Sequence, residues 1–450
     1  MMKNKKVLFI VIIFLILILI ALAGVYAYIA LDIFKSPKQL FGKYLNNQIE
    51  QIQSLNTGAL KTFSDNLKEN TSNAELNIEL EEDTKLNIGL KRDPDKSISI
   101  LNLKVDSDDN NLANYSLYAD KEKLAIKIPE LNEKYFSVGI NTLLEEVEKN
   151  LKENNITEKD IELSTESIEK YKNELKTIYN KYLEEVKVYF TDDKFSAEKN
   201  VTVDVNVKSI SANRYTFSLT GTELENIIFD ILSKMMDEPI LSDFMTDEQI
   251  SELKDNIESK KQDINDLIAT KVLKVCIYEA SGSTVKIELQ ADDEIIAELM
   301  LVKVSDTESN LIVNQISKKI EDTDVGKEQT VLYTVNAQDE NTTVVTTKTS
   351  ITYNKDDIKA LKKYYEDNDY YYYTDEMIDE NYKNISTTQR MTTTLNGERA
   401  TTKISSDALD NLGFDIKNMQ INYTFGSQVK FDSIDDSIEL EEYVDNQEKQ

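Results

Sequence analysis

Apolar residues fall along this chain in three patterns, and each predicts an element. The first is unbroken: residues 7–31 hold 25 positions without a charge. A helix rising ~1.5 Å per residue crosses a ~30 Å hydrocarbon core over that length. A cleaved leader has an apolar core of only ~7–15 residues, so the run predicts an uncleaved transmembrane helix. Lys3, Lys5 and Lys6 precede it. Positive flanks stay in the cytoplasm, so the N-terminus is expected inside and the chain from Asp32 onward outside. Leu22-Ala23-Gly24-Val25 has the shape of a lipoprotein box but offers Val25 where a lipidated Cys is needed.

The second pattern has period two. Ala74, Leu76, Ile78 and Leu80 alternate with polar residues, and so do Leu86, Ile88 and Leu90. Ile98 and Ile100 lead into Leu101, Leu103 and Val105, a phase slip that predicts a bulge. Tyr115, Leu117 and Ala119 follow, then Leu124, Ile126 and Ile128. Five such runs with short polar turns predict an antiparallel meander, apolar on one face and wet on the other. Alternation returns at Val201, Val203, Val205 and Val207, at Tyr215, Phe217 and Leu219, and repeatedly after residue 270. Asn396-Gly397, between two alternating runs, is the strongest hairpin signal in the chain. Ile78, Ile88, Ile126, Val205 and Phe217 are expected on the same side of the sheet, either filled by the helices 164–188 and 222–236 or open as the candidate face for an apolar ligand.

The third pattern repeats every three to four residues. Ser36-Pro37-Lys38-Gln39 reads as a helix start, with Ser as N-cap, Pro first and Gln third. Phe41, Leu45, Ile49 and Ile52 continue it as one stripe. Further helices are predicted at 60–67, 140–151, 164–188, 222–236 and 356–365, and one opens at the capping box Thr246-Asp247-Glu248-Gln249. Strands then helices occur twice. The chain therefore reads as α+β: a cytoplasmic tail (1–6), an N-terminal transmembrane anchor (7–31), juxtamembrane helices (32–70), two antiparallel-sheet lobes (71–240 and 241–430), and an acidic C-terminal tail that frays (431–450). The lobes are curved meanders with helical insertions, or one long curved sheet.

Charge and composition then remove functions. With 82 acids against 52 bases the net charge is −30. Such a surface repels phosphates, so nucleic acid is not a partner. The chain has no histidine, no tryptophan and one cysteine. Ser-His-Asp and Cys-His catalysis, HExxH zinc chemistry and His-ligated haem or copper all require residues it lacks. No cofactor, metal site or catalytic residue is expected. Cys276, within Val275-Cys276-Ile277, is expected to be a small buried hydrophobe.

Local motifs resolve into ordinary structure. Asp106-Ser107-Asp108-Asp109-Asn110 starts like a calcium loop, but its sixth position is Asn111 and its twelfth Leu117, so it reads as a hairpin tip. Ser251 to Lys254 and Ser283 to Lys286 match S-x-x-K without the K-T-G companion of penicillin-binding enzymes. Two carboxylates suffice for glycoside hydrolysis, but no pair stands out. Tyr364, Tyr365, Tyr370, Tyr371, Tyr372, Tyr373 and Tyr382 read as packing over a sheet, with a partner or glycan surface as the alternative.

The Lys-flanked anchor followed by Leu31-Asp32-Ile33-Phe34-Lys35-Ser36-Pro37-Lys38-Gln39-Leu40-Phe41 resembles uncharacterised membrane-anchored ectodomain proteins of Gram-positive anaerobes. In architecture the region 70–430 is distantly similar to the LolA/LppX-type envelope lipid-binding proteins. That likeness implies a curved antiparallel sheet holding acyl chains on its concave face. The expectation is a non-enzymatic binding or scaffold module, single-pass in the cytoplasmic membrane, with an extracellular ectodomain and an envelope protein or lipid as partner. The alternatives are a lipid carrier and a carboxylate-dependent hydrolase.

Overall fold

The computed structural model describes residues 36–440 except 56–57, 81–82, 108–109, 154–164, 207, 269, 319–323, 369, 371, 408–415 and 432–433. The expected tail 1–6 and anchor 7–31 lie outside the described residues. Among the described residues no helix is long and apolar enough to cross a membrane.

The strands form an 18-stranded sheet. Its first edge is β7 (Phe195–Val205), followed by β8 (Lys208–Thr220), β9 (Val272–Ala280), β10 (Ser283–Ala291), β11 (Glu294–Lys303) and β12 (Glu308–Ser317). β13 (Lys327–Ala337), β14 (Thr342–Tyr353), β15 (Ile385–Asn396), β16 (Arg399–Ser406) and β17 (Ile416–Phe425) continue the meander. There the chain order breaks. β17 pairs with β1 (Ser72–Leu80), and β2 (Lys85–Asp93), β3 (Ile98–Ser107), β4 (Asn110–Ala119), β5 (Lys123–Lys127) and β6 (Phe136–Gly139) extend the sheet. β18 (Ile438–Glu439) closes that edge in the parallel sense against β6. The strands expected in two lobes thus share one ladder, through β8–β9 and again through β1–β17.

α1, α2 and α5 pack on one face of the sheet, the helix face. α1 (Pro37–Gln53) begins at a complete capping box of Ser36 and Gln39. It packs across β7 to β11. Its buried stripe is Phe41, Tyr44, Leu45 and Gln48, turned slightly from the expected Phe41, Leu45, Ile49 and Ile52. Aromatic contacts set that rotation. Tyr44 stacks on Tyr215 with centroids 5.2 Å apart, and Phe41 meets Phe195 edge-on at 5.4 Å. α2 (Gly58–Glu69) carries the cover on to β14 and β15. Its Ala59, Phe63 and Leu67 pack with Leu395, Ala400 and Phe425. α3 (Ile140–Glu153), α4 (Thr165–Lys187), α5 (Gly221–Met235), α6 (Leu241–Phe244) and α7 (Asp247–Ile268) lie between β6 and β9. α5 puts Leu224, Ile227 and Ile228 into the core beneath α1. α8 (Lys355–Asp367) and α9 (Asp375–Asn381) join β14 to β15.

Three expectations need correction. The bulge in β3 lies between Val105 and Asp106, and Ile100–Leu101 stay in regular alternation. Both faces of β3 are apolar because both are used. Ile100 points to the reverse face, where it packs with Tyr118, Ala125, Tyr135 and the late residues Phe431 and Ile434. The tail therefore does not fray throughout: to Glu439 it is docked, with Ser137 and Ser437 hydroxyls 2.9 Å apart. Finally, β7 has one extra residue between Glu198 and Val201, with Asn200 left-handed at φ 59°. A one-residue insertion inverts every later side chain.

Candidate functional site

The register of β1 to β5 assembles an apolar grid on the helix face. Leu90, Leu101, Leu117 and Ile126 lie opposite one another across four strands. Leu76, Ile88, Leu103 and Tyr115 form the next row. Ile78, Leu86, Val105 and Ala113 form the third, and Met419 and Ile421 of β17 carry the grid back toward the helices. Neither α1 nor α2 reaches it. Leu90, Leu101 and Leu117 are 47%, 41% and 45% exposed, whereas Phe217, on the same face under α1, is 6% exposed. Tyr115 in the adjoining row is 38% exposed, so the exposed side chains are neighbours rather than scattered.

The reverse face of the same strands carries the apolar cluster around Ile100 and Tyr118 and, beside it, polar side chains that bond across the strands. Asn87 donates to Asn77 at 2.6 Å and Ser116 donates to Asn102 at 2.7 Å. Asn73 donates to Glu75 at 2.9 Å. Gly89 is buried there with Asn102 against its Cα, so even an alanine methyl would sit 3.5 Å from that side chain.

Of the expected site residues, Ile78, Ile88 and Ile126 lie together in this grid. Phe217 shares their face many strands away, sealed by Phe41, Phe190 and Phe195 at 6.1, 4.8 and 4.9 Å. Val205 is on the reverse face with Val203, Ala212, Cys276 and Tyr278, turned over by the β7 bulge. Four of the five therefore share a side, with Ile78, Ile88 and Ile126 half-buried and Phe217 in the core, and Val205 alone is on the opposite side.

A buried charge network on the reverse face of β9 to β12 was not expected. Lys286 pairs with Glu288 at 2.8 Å and with Glu298. Glu288 also accepts from Tyr278 at 2.8 Å and Gln290 at 2.7 Å, and Glu298 accepts from Asn314 at 3.0 Å. Burial disfavours the Lys286 charge, but its bonds to both glutamates outweigh burial and hold its pKa above the ordinary lysine value. Burial, then the bond to Glu288, pushes the Tyr278 hydroxyl up. All four carboxylate oxygens are engaged, which suits the network to holding strands in register rather than to moving protons. Periodicity hid it, since Val285, Ile287 and Leu289 mark the other side of β10 as the core. The available signal was Val275-Cys276-Ile277-Tyr278 in β9, apolar on both faces and so covered on both.

The remaining motifs are structural. Cys276 is buried, its thiol accepting from Thr216 at 3.6 Å, and burial raises its pKa. Ser283 is exposed while Lys286 is buried in the network, and Ser251 lies on α7. Tyr365 stacks on Tyr373 at 4.6 Å and Tyr353 meets Tyr382 edge-on at 5.3 Å, packing α8 and α9 at the end of β14. Among the described residues no cluster of acidic or cysteine side chains is arranged to hold a metal ion.

In comparisons with known proteins, the model of a family of unknown function, DUF6583, matches residues 1–303. No curated protein matches the chain.

Proposed function

We propose, for a chain that belongs to the DUF6583 family of unknown function, a non-enzymatic scaffold role in the cell envelope in which the apolar face of β1 to β5 docks a protein partner. The observation that carries this reading is the grid of adjoining exposed apolar side chains around Leu90, Leu101 and Leu117. Contiguous exposed apolar surface is a feature of interaction sites, whereas single exposed apolar residues are ordinary. The run 7–31 is read as the anchor, with Lys3, Lys5 and Lys6 inside and the folded chain outside. α1 starts beside β7, where Lys38 donates to the Phe190 carbonyl at 2.6 Å. The open grid is toward the other edge of the sheet. The net charge of −30 keeps the folded part off anionic headgroups, which favours a protein over the bilayer as occupant.

The test is a photo-cross-linking side chain at Leu101 of the full chain in native envelopes. A discrete protein adduct, lost on Leu117→Asp while the melting temperature holds, is expected. Adducts with lipid alone would instead establish the carrier reading. Protease added to intact protoplasts should digest the chain beyond Asp32 and leave the N-terminal peptide in the membrane; recovery of a soluble, shortened chain from the medium would overturn the anchored topology.

A further inference from the structure

Among the described residues the two edges of the sheet are finished differently. β6 carries β18 along Phe136 and Ser137. β7 pairs with β8 alone. Successive strand residues present their N–H and C=O groups to opposite sides, so half of the backbone groups in the 11 residues of β7 face outward. No backbone bond among the described residues reaches them from another strand or loop.

An exposed edge is usually blunted by a lysine, a proline or a bulge. The first half of β7 has such devices. Lys199 is exposed there, the ladder shifts between Glu198 and Val201 with Asn200 at φ 59°, and Arg214 of β8 draws Glu198 inward at 2.8 Å. The second half, Val201-Thr202-Val203-Asp204-Val205, has no proline, no bulge and one charge. Its valines turn to the reverse face, where Val203 is buried among Ala212, Cys276 and Tyr278. Thr202 and Asp204 stand exposed on the other face, and Ser209 donates to one oxygen of the Asp204 carboxylate.

This half of the strand is complementary to itself. In an antiparallel pairing with Val203 on a two-fold axis, Val201 lies opposite the copy's Val205 and Thr202 lies opposite the copy's Asp204, each pairing occurring twice. Valine meets valine on one face and a hydroxyl meets a carboxylate on the other, with no like charges opposed. Such an interface is isologous and closes as a dimer. Its axis is perpendicular to the sheet, so α1, which packs across β7 to β11, lies on the same side in both copies. Two copies anchored in one membrane require that arrangement.

We propose that the edge 201–205 of β7 pairs antiparallel with the same edge of a second copy of this chain, centred on Val203. The grid on β1 to β5 is toward the other edge of the sheet, so this interface is independent of the docking reading.

The test is sedimentation of the detergent-solubilised full chain, corrected for bound detergent, and the parent is expected as a dimer. Thr202→Asp sets a carboxylate opposite the copy's Asp204 at both ends of the pairing, and the dimer should dissociate roughly tenfold more readily. Thr202→Lys sets an ammonium there and should keep the dimer. Thr202→Asp combined with Asp204→Lys again opposes unlike charges and should recover it, a result that loss of folding cannot produce. Both positions are exposed, and far-UV circular dichroism verifies that each variant is folded. A monomeric parent, or a dimer whose dissociation is indifferent to these charges, overturns the proposal.

Discussion

At the scale of single residues, the Lys286 network decides more than any exposed ion pair. Removing one member of a buried pair strands the others without compensation, which typically costs ~3–5 kcal/mol. Lys286→Met should therefore lower the urea midpoint sharply, and adding Glu288→Leu and Glu298→Leu should recover much of the loss; a single variant as stable as the parent would show that solvent reaches the site. The pH dependence follows the same group. Lys286 has a raised folded-state pKa, so its stabilisation is complete below the unfolded lysine value of ~10.4 and is lost as pH rises through the folded value. Tyr278, also raised, adds to the loss from pH ~10 upward. Glu223 acts in the opposite direction. Burial would raise its pKa, but the bond from Lys194 and the capping bond from the Thr220 N–H hold it below the ordinary value. Its contribution is present above ~4.3 and lost as pH falls through the folded value. Urea midpoints across pH should form a plateau with an alkaline edge from pH ~10 that is smaller in Lys286→Met. The network escaped a reading of periodicity because alternation tells which side of a strand is apolar, not whether the polar side is wet.

At the scale of elements, caps and turns were legible locally, whereas the phase slip at Ile100–Leu101 was misread as a bulge. The Ser36 cap, the Thr246 cap and the Asn396-Gly397 turn depend on neighbours a few residues away, and each is found in place. β12 lacks clean alternation, since Leu311, Ile312 and Val313 run together, and α9 has only 7 residues. The sense of β7 depends on one left-handed Asn200, and the docking of Ile438 on Phe136 depends on a contact about 300 residues long. Such choices are made by tertiary pairing and leave no local periodicity. Phe217→Ala measures how tightly α1 is seated. Four aromatic rings meet there, counting Phe41, Phe190 and Phe195 with Phe217 itself. The truncation should cost ~3–5 kcal/mol by urea unfolding. Ile88→Ala, on the same sheet face but away from α1, should cost clearly less; equal losses would mean that the grid is covered as well. Ser36→Ala should cost about 1 kcal/mol, since it removes one of the two bonds of the capping box.

At the scale of the molecule, the sheet is held unequally along its length. A long meander is close to one-dimensional, because each strand pairs only with its neighbours. Coupling beyond nearest neighbours must come from elements that run across the strands. α1 does this over β7 to β11, and α2 does it near β14 to β17. Past β17 neither helix continues. Among the described residues, Tyr135 and the residues around Phe431 and Ile434 pack on the reverse face of β3 to β5. Local opening free energy follows buried apolar contact, so this end should open before the other. Amide hydrogen exchange on the full chain is expected to show strong protection in β8 to β10 and weaker protection in β2 to β4. The docking reading adds a second condition. A partner seated on Leu90, Leu101 and Leu117 would supply the missing cover, so protection in β2 to β4 should rise in native envelopes while β8 to β10 stay constant. Uniform protection in the purified chain would mean the cross-strand helices are not what stabilises the sheet. A purified chain with the predicted gradient, and no change in envelopes, would leave the fold argument intact and remove the partner from the open face.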